Sequence, residues 1–203
     1  MRKDVKLKVI HELWTACYEA EKPLIFDEDN AASKYRDAEG WTIHRKRAWI
    51  TVMSGGHYDF IDFSIQANGL ETGTAESRRM IRTWMKNLSI FIHSIDFINT
   101  KPIRNFPSLV PPNTLAATLA NHGKEYIIYL ADSQEINMPS YGWPRSGDII
   151  FELPKGLYKA RFYSPAEGEY SPSKVMLEGG RQIRLSVPLF THDIVIHIKR
   201  TSQ

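Results

Sequence analysis

Glu28 stands in the segment KPLIFDEDN (22–30), just after the apolar run Leu24-Ile25-Phe26. A carboxylate at the end of a buried strand, set opposite a second carboxyl group, is the equipment of glycoside hydrolysis. One group protonates the leaving oxygen, and in retaining enzymes the other attacks the anomeric carbon. Alternation along a strand puts Glu28 on the side of Phe26 and Leu24, and Asp27 on the opposite side. Asp27 and Asp29 are then expected to orient neighbours or meet solvent. The plainer reading of the same residues is a solvated acidic turn after a strand. Asn30 is a binding candidate or an ordinary turn residue. His57, Tyr58 and Asp59 follow Gly55-Gly56 at the start of a second strand candidate. Tyr58 could stack on a ligand and His57 or Asp59 could hydrogen-bond one, or all three could face water.

Other chemistries have no support in the sequence. The seven histidines show no His-Glu-x-x-His spacing, and His192-Asp193 reads as a turn. No phosphate-cradling glycine loop and no Gly-x-Ser-x-Gly elbow occurs, so no metal, nucleotide or flavin cofactor is implied. Cys17 is the single cysteine, which forbids an intrachain disulfide. It falls on the apolar side of a helical pattern, where a buried thiol is expected. The net charge of +3 resides in residues 100–203, residues 1–99 being neutral, and neither half has a dense basic stripe. Nucleic acid is therefore not an expected partner. No apolar run reaches the roughly 18 residues of a membrane span. Residues 1–10, MRKDVKLKVI, lack the apolar core of a signal peptide, so the sequence leaves the compartment open: inside the cell, or secreted or periplasmic after loss of a leader.

Three helices are predicted, over 3–20, 42–53 and 75–98. The first has Leu13, Ala16, Cys17 and Ala20 on one face, and the last repeats Ile81, Trp84, Met85, Leu88, Phe91, Ile92 and Ile95 at threes and fours. Strands are predicted over 24–26 and 58–63. The run over 24–26 lacks alternation, as in a parallel strand buried on both faces. Two such strands cover few apolar stripes, so residues 1–99 are expected to leave a large apolar face exposed. Four prolines in the fourteen residues 100–113 mark a linker. Beyond it, seven short strands are predicted over 115–121, 125–130, 148–153, 157–163, 173–177, 182–187 and 193–198, the pattern of a β-sandwich. Tyr141 and Trp143, in PSYGWPRSGD (139–148), could stack on carbohydrate or pack over the sandwich edge.

Residues 114–203 resemble the small collagen-binding-type β-sandwich that follows the catalytic barrel in many bacterial glycoside hydrolases. The resemblance rests on GLYKARFYSPAEGEY (156–170), the Glu-Gly-Gly turn at 178–180 and VPLFTHDIVIHI (187–198). Phe162, Pro165, Gly168, Glu169, Gly179, Gly180 and Asp193 fill the pattern. Residues 1–99 resemble the last strands and helices of apiosidase-like glycoside hydrolase barrels, through KPLIFDEDN and RKRAWITVMSGGHYDF (45–60). The resemblance implies an α/β plus all-β chain: the last units of an incomplete (β/α)8 barrel, then a C-terminal antiparallel β-sandwich. It places Glu28 at the catalytic carboxylate position and Asn30, His57, Tyr58 and Asp59 around a carbohydrate substrate. A complete barrel takes about 250 residues, and the general acid would come from an earlier strand. The chain is then expected to be an inactive C-terminal fragment whose partner is the missing N-terminal part of the barrel. The competing expectations are a non-catalytic carbohydrate- or collagen-binding module and a purely structural sandwich.

Overall fold

The structure is a computed structural model and describes residues 6–29, 35, 37–60, 73–134 and 136–201, the side chain of Glu28 excepted. The chain opens with helix α1 (Leu7–Glu19), strand β1 (Ile25–Asp29), helix α2 (Ala38–Met53), strand β2 (His57–Phe60) and helix α3 (Ala75–His93). A 3₁₀ turn at Phe97–Asn99 leads into eight strands: β3 (Lys101–Ile103), β4 (Thr114–Asn121), β5 (Glu125–Asp132), β6 (Arg145–Glu152), β7 (Leu157–Ser164), β8 (Glu169–Glu178), β9 (Gln182–Phe190) and β10 (Asp193–Arg200).

The architecture is mainly β, and this corrects the expected fold. The described strands form no closed barrel. Among the described residues only β1 and β2 pair in parallel, as a sheet of two, while every other pairing is antiparallel. The larger sheet runs β3-β4-β5-β10-β7-β8, and β6-β9 forms a third sheet. In a (β/α)8 unit the helices ring the outside of a barrel. Here the helices lie against the six-stranded sheet, so the strand pair and the sandwich share one helical layer.

The sequence explains this layering. β5 is buried at all eight positions, with alternate residues serving two cores. Tyr126, Ile128 and Leu130 point toward β6 and β9, where they meet Ile149, Phe151, Leu185 and Val187. Ile127, Tyr129 and Ala131 point the other way, toward Trp49, Leu88 and Phe91 of the helices. Trp49 stacks on Tyr129 at 5.6 Å between ring centroids. The apolar stripes of the helices are therefore largely covered within the chain by the outer face of the sheet. On α1 the buried stripe is Leu7, Ile10 and Trp14, while Leu13, Ala16 and Ala20 face outward and Cys17 is half-buried. Trp14 decides the helix's rotation, because burying it removes more apolar area than burying the smaller residues opposite.

Residues 101–113 also join the sandwich. Pro102 pairs with Leu119, Phe106 stacks on Tyr126 at 5.4 Å, and Leu109 bridges to Ile150. Among the described residues no helix is long and apolar enough to cross a membrane.

Candidate functional site

The parallel pair β1–β2 ends in a buried cluster of polar side chains. Asp37 caps the N-terminus of α2 by accepting from the Gly40 amide at 2.7 Å. Ser54-Gly55-Gly56 ends the helix, with Gly55 at φ +84°. Gly56 has no alternative, since a Cβ there would lie 1.7 Å from the Trp14 ring. The helix so bounded lies against β2, and its residues His44 and Arg47 face the end of β1.

Asp29 receives both. Arg47 Nη1 donates to Asp29 Oδ1 at 2.8 Å, Tyr58 Oη donates to Oδ2 at 2.8 Å, and His44 Nδ1 lies 3.0 Å from Oδ2. His44 Nδ1 is also 3.1 Å from Tyr58 Oη. The Asp29, His44 and Arg47 side chains are all at most 2% exposed. Burial pushes the Asp29 carboxyl upward. The His44 and Arg47 charges and the hydrogen bonds outweigh it and bring the group down to about 2. Burial, followed by the Asp29 charge, raises the Tyr58 phenol well above its ordinary value. The cluster is thus an ionised carboxylate with its charge neutralised and its oxygens occupied.

Asp29 points inward because β1 is irregular. Phe26 pairs with Tyr58 and Asp29 with Phe60, so three steps on β1 match two on β2. The extra residue breaks strict alternation and puts Phe26 and Asp29 on the same buried side.

The structure sorts the sequence candidates. Glu28 lies on β1 by its backbone, one residue from the cluster, with its side chain outside the described residues. Asn30 also lies outside the described residues. Tyr58 joins Asp29, while Asp59 is exposed on β2 beside the same end of the pair. His57 is exposed at the opposite end. Its amide bonds Leu24 O at 2.9 Å, and four residues of strand, about 13 Å, separate that level from Asp29. Of Asp29, His44 and Arg47, sequence reasoning weighed only the first, expecting it to orient neighbours or meet solvent, and missed the last two. The signal available for the last two was a charged run, HRKR (44–47), inside a helix bounded by apolar residues.

The other half of that run faces the sandwich. Arg45 Nε and Nη2 donate to both oxygens of Asp193 at 2.8–3.1 Å, and Tyr129 Oη donates to Asp193 Oδ2 at 3.1 Å. The Arg45 guanidinium also lies 4.6 Å from the Trp84 ring centre. Lys46 Nζ donates to Gln134 O at 3.3 Å and sits 4.9 Å from the Tyr141 ring centre. Tyr141 is half-buried in this contact and Trp143 is exposed. His192 takes a left-handed turn at φ +70° just before Asp193 opens β10. Among the described residues no group of three or more histidine, cysteine, aspartate or glutamate side chains is placed to hold a metal ion.

No protein-family model and no curated protein matches the chain. Solved structures do match it. The chain is similar in fold to a protein described as "Glycoside hydrolase", with a TM-score of 0.64 and 12% identity over 95% of this chain and 47% of that one. It is also similar to a glycoside hydrolase family 5 protein from Bacteroides vulgatus ATCC 8482, with a TM-score of 0.58 and 14% identity over 94% of this chain and 45% of that one. The chain therefore has a glycoside-hydrolase-like fold. It spans just under half the length of these two neighbours.

Proposed function

We propose that this chain forms the C-terminal part of a glycoside hydrolase acting on polysaccharide, with Glu28 as one of its two catalytic carboxyl groups. The observation that carries the reading is the pairing of a glycoside-hydrolase-like fold with a β1 end whose acidic segment is anchored. Asp29, held by Arg47, His44 and Tyr58, fixes the backbone on which Glu28 stands. Three neighbours occupy Asp29, so it is a positioning residue, and the reacting carboxylate of this segment is Glu28.

In this reading Asn30 and Asp59 supply hydrogen bonds to sugar hydroxyls near Glu28. Tyr58 supports the site through Asp29 instead of stacking on a sugar. The second carboxyl group comes from the rest of the parent protein, and the isolated chain turns over no glycoside. The test is hydrolysis of aryl glycosides and polysaccharides by the protein as it occurs naturally, beside its Glu28→Gln variant. Loss of turnover by at least about 10³-fold supports the assignment. Turnover that Glu28→Gln leaves unchanged removes it.

A further inference from the structure

Four of the five tryptophans are at most 3% exposed, and the fifth, Trp143, is 60% exposed. It belongs to the loop between β5 and β6, and that loop is clamped. Buried Asp132 accepts from the Gln134 amide, the Gly142 amide and Arg145 Nη2 at 3.0–3.1 Å. Arg145 Nη2 also donates to Ser140 O at 2.8 Å, and Ser140 Oγ donates to Gln134 Oε1 at 3.2 Å. Tyr141, immediately before the glycine that precedes Trp143, packs under Lys46 and against His192, whose ring centre is 5.1 Å away. Gly142 takes φ +71°, and a Cβ on it would lie 3.0 Å from Glu39 Oε1 and 3.1 Å from His192 Cε1. The loop thus hands an indole outward from a fixed base.

A carboxylate borders that base. Glu39 has a side chain 60% exposed, and its Oε1 lies 3.0 Å from His192 Nε2. An exposed indole one residue beyond a glycine that abuts a carboxylate offers the chemistry a sugar ring needs, with a π face for C–H groups and an acceptor for hydroxyls. Because the bonds of Asp132 and Arg145 hold the backbone on both sides of Trp143, stacking on it costs little further conformational entropy. Position also matters. Glu39 precedes His44 by five residues, about 7.5 Å along the α2 axis, and His44 is already level with the end of β1. Glu39, and with it the Gly142 backbone that precedes Trp143, therefore lies on the side of the molecule where β1 ends.

We infer that Trp143, with Glu39 bordering the base of its loop, forms a distal carbohydrate site that takes a pyranose unit of a polysaccharide chain whose other residues reach the Glu28 end of β1. This rests on the hydrolase reading for its ligand class. The experiment is native gel electrophoresis of the 203-residue chain through gels holding xyloglucan, arabinoxylan, pectic galactan, mannan or dextran, with Trp143→Ala and Trp143→Phe alongside. Retardation of the wild type by at least one polymer is expected. Trp143→Ala should weaken it by about tenfold or more, and Trp143→Phe should keep most of it. An unchanged thermal midpoint for Trp143→Ala excludes misfolding as the cause. Wild-type mobility that no polymer alters, retardation indifferent to Trp143→Ala, or retention on gelatin in place of polysaccharide would each overturn the site. The two readings fail separately. Trp143-dependent retardation of the chain, with no bond cleavage by the natural protein, removes the hydrolase alone, and Glu28-dependent cleavage by the natural protein without Trp143-dependent retardation removes this site alone.

Discussion

In β5, Tyr126, Ile128 and Leu130 enter one apolar core and Ile127, Tyr129 and Ala131 enter another, so the strand is held by packing on both faces. In β1, Ile25 is 60% exposed, Phe26 alone is a buried apolar side chain, and Asp29 is held by a cation, an imidazole and a phenol. Apolar packing is non-directional and tolerates small shifts, while a carboxylate bonded through both oxygens fixes direction. The molecule thus uses packing where it needs a framework and charge where it needs a strand end in one place. Helix α2 serves both regions, turning Trp49 and Arg45 to the sandwich and His44 and Arg47 to the strand pair.

The largest expected effect lies in the framework. Phe151→Ala opens a cavity beside Phe106 in the sandwich core and should cost about 3–5 kcal/mol, read by urea unfolding. Because the helices and the sheet share a core, far-UV and tryptophan signals should move together. A sandwich that melts while the helical layer stays folded would break the claim of a shared core.

A similar loss, about 3–5 kcal/mol, is expected for Asp193→Ala, which strands the buried Arg45 guanidinium. Adding Arg45→Met should recover much of it, since apolar replacement of both partners is often tolerated. If the double variant is no better than the single, the geometry of the pair matters beyond its charge balance.

The strand end should show its charge through pH. The Asp29 carboxyl is held at about 2 against an ordinary 3.8, so its stabilisation is full above about pH 4 and is lost as pH falls through about 2. The share at stake is on the order of 2 kcal/mol. Asp29→Asn should be less stable at neutral pH and should flatten the difference from wild type by pH 2, measured by unfolding across that range. A constant difference between pH 7 and pH 2 would show that the charge of Asp29 does not hold the strand end.

The smallest effect sits at the clamped loop. Gly142→Ala forces an L residue into φ +71° against Glu39 and His192 and should cost about 1 kcal/mol. A larger loss would make that loop part of the framework.

Much of the sandwich was legible because strands declare themselves locally. Alternation and turns placed β4, β5, β7, β9 and β10 within a few residues, and the Thr74–Ser77 capping box marks where the predicted helix at 75–98 begins. The sheet to which each strand belongs was not legible. The continuous run EYIIYLAD has the composition of a parallel strand buried on both faces, yet it is antiparallel with helices on one side and β6–β9 on the other. The expected barrel units failed for the same reason, because two short parallel strands carry no local sign of what covers them. The burial of Asp29 on the side of Phe26 was hidden by an irregular register, which no residue type announces. The buried charges of α2 were hidden by distance, for Arg45 meets its partner 148 residues along the chain.

The decisive measurement is glycoside hydrolysis by the natural protein with Glu28, and separately Asp29, replaced by the corresponding amide. Glu28→Gln should abolish turnover while leaving the fold intact, and Asp29→Asn should lower turnover together with stability. Full activity in folded Glu28→Gln protein would contradict the assignment of the β1 end as a catalytic site.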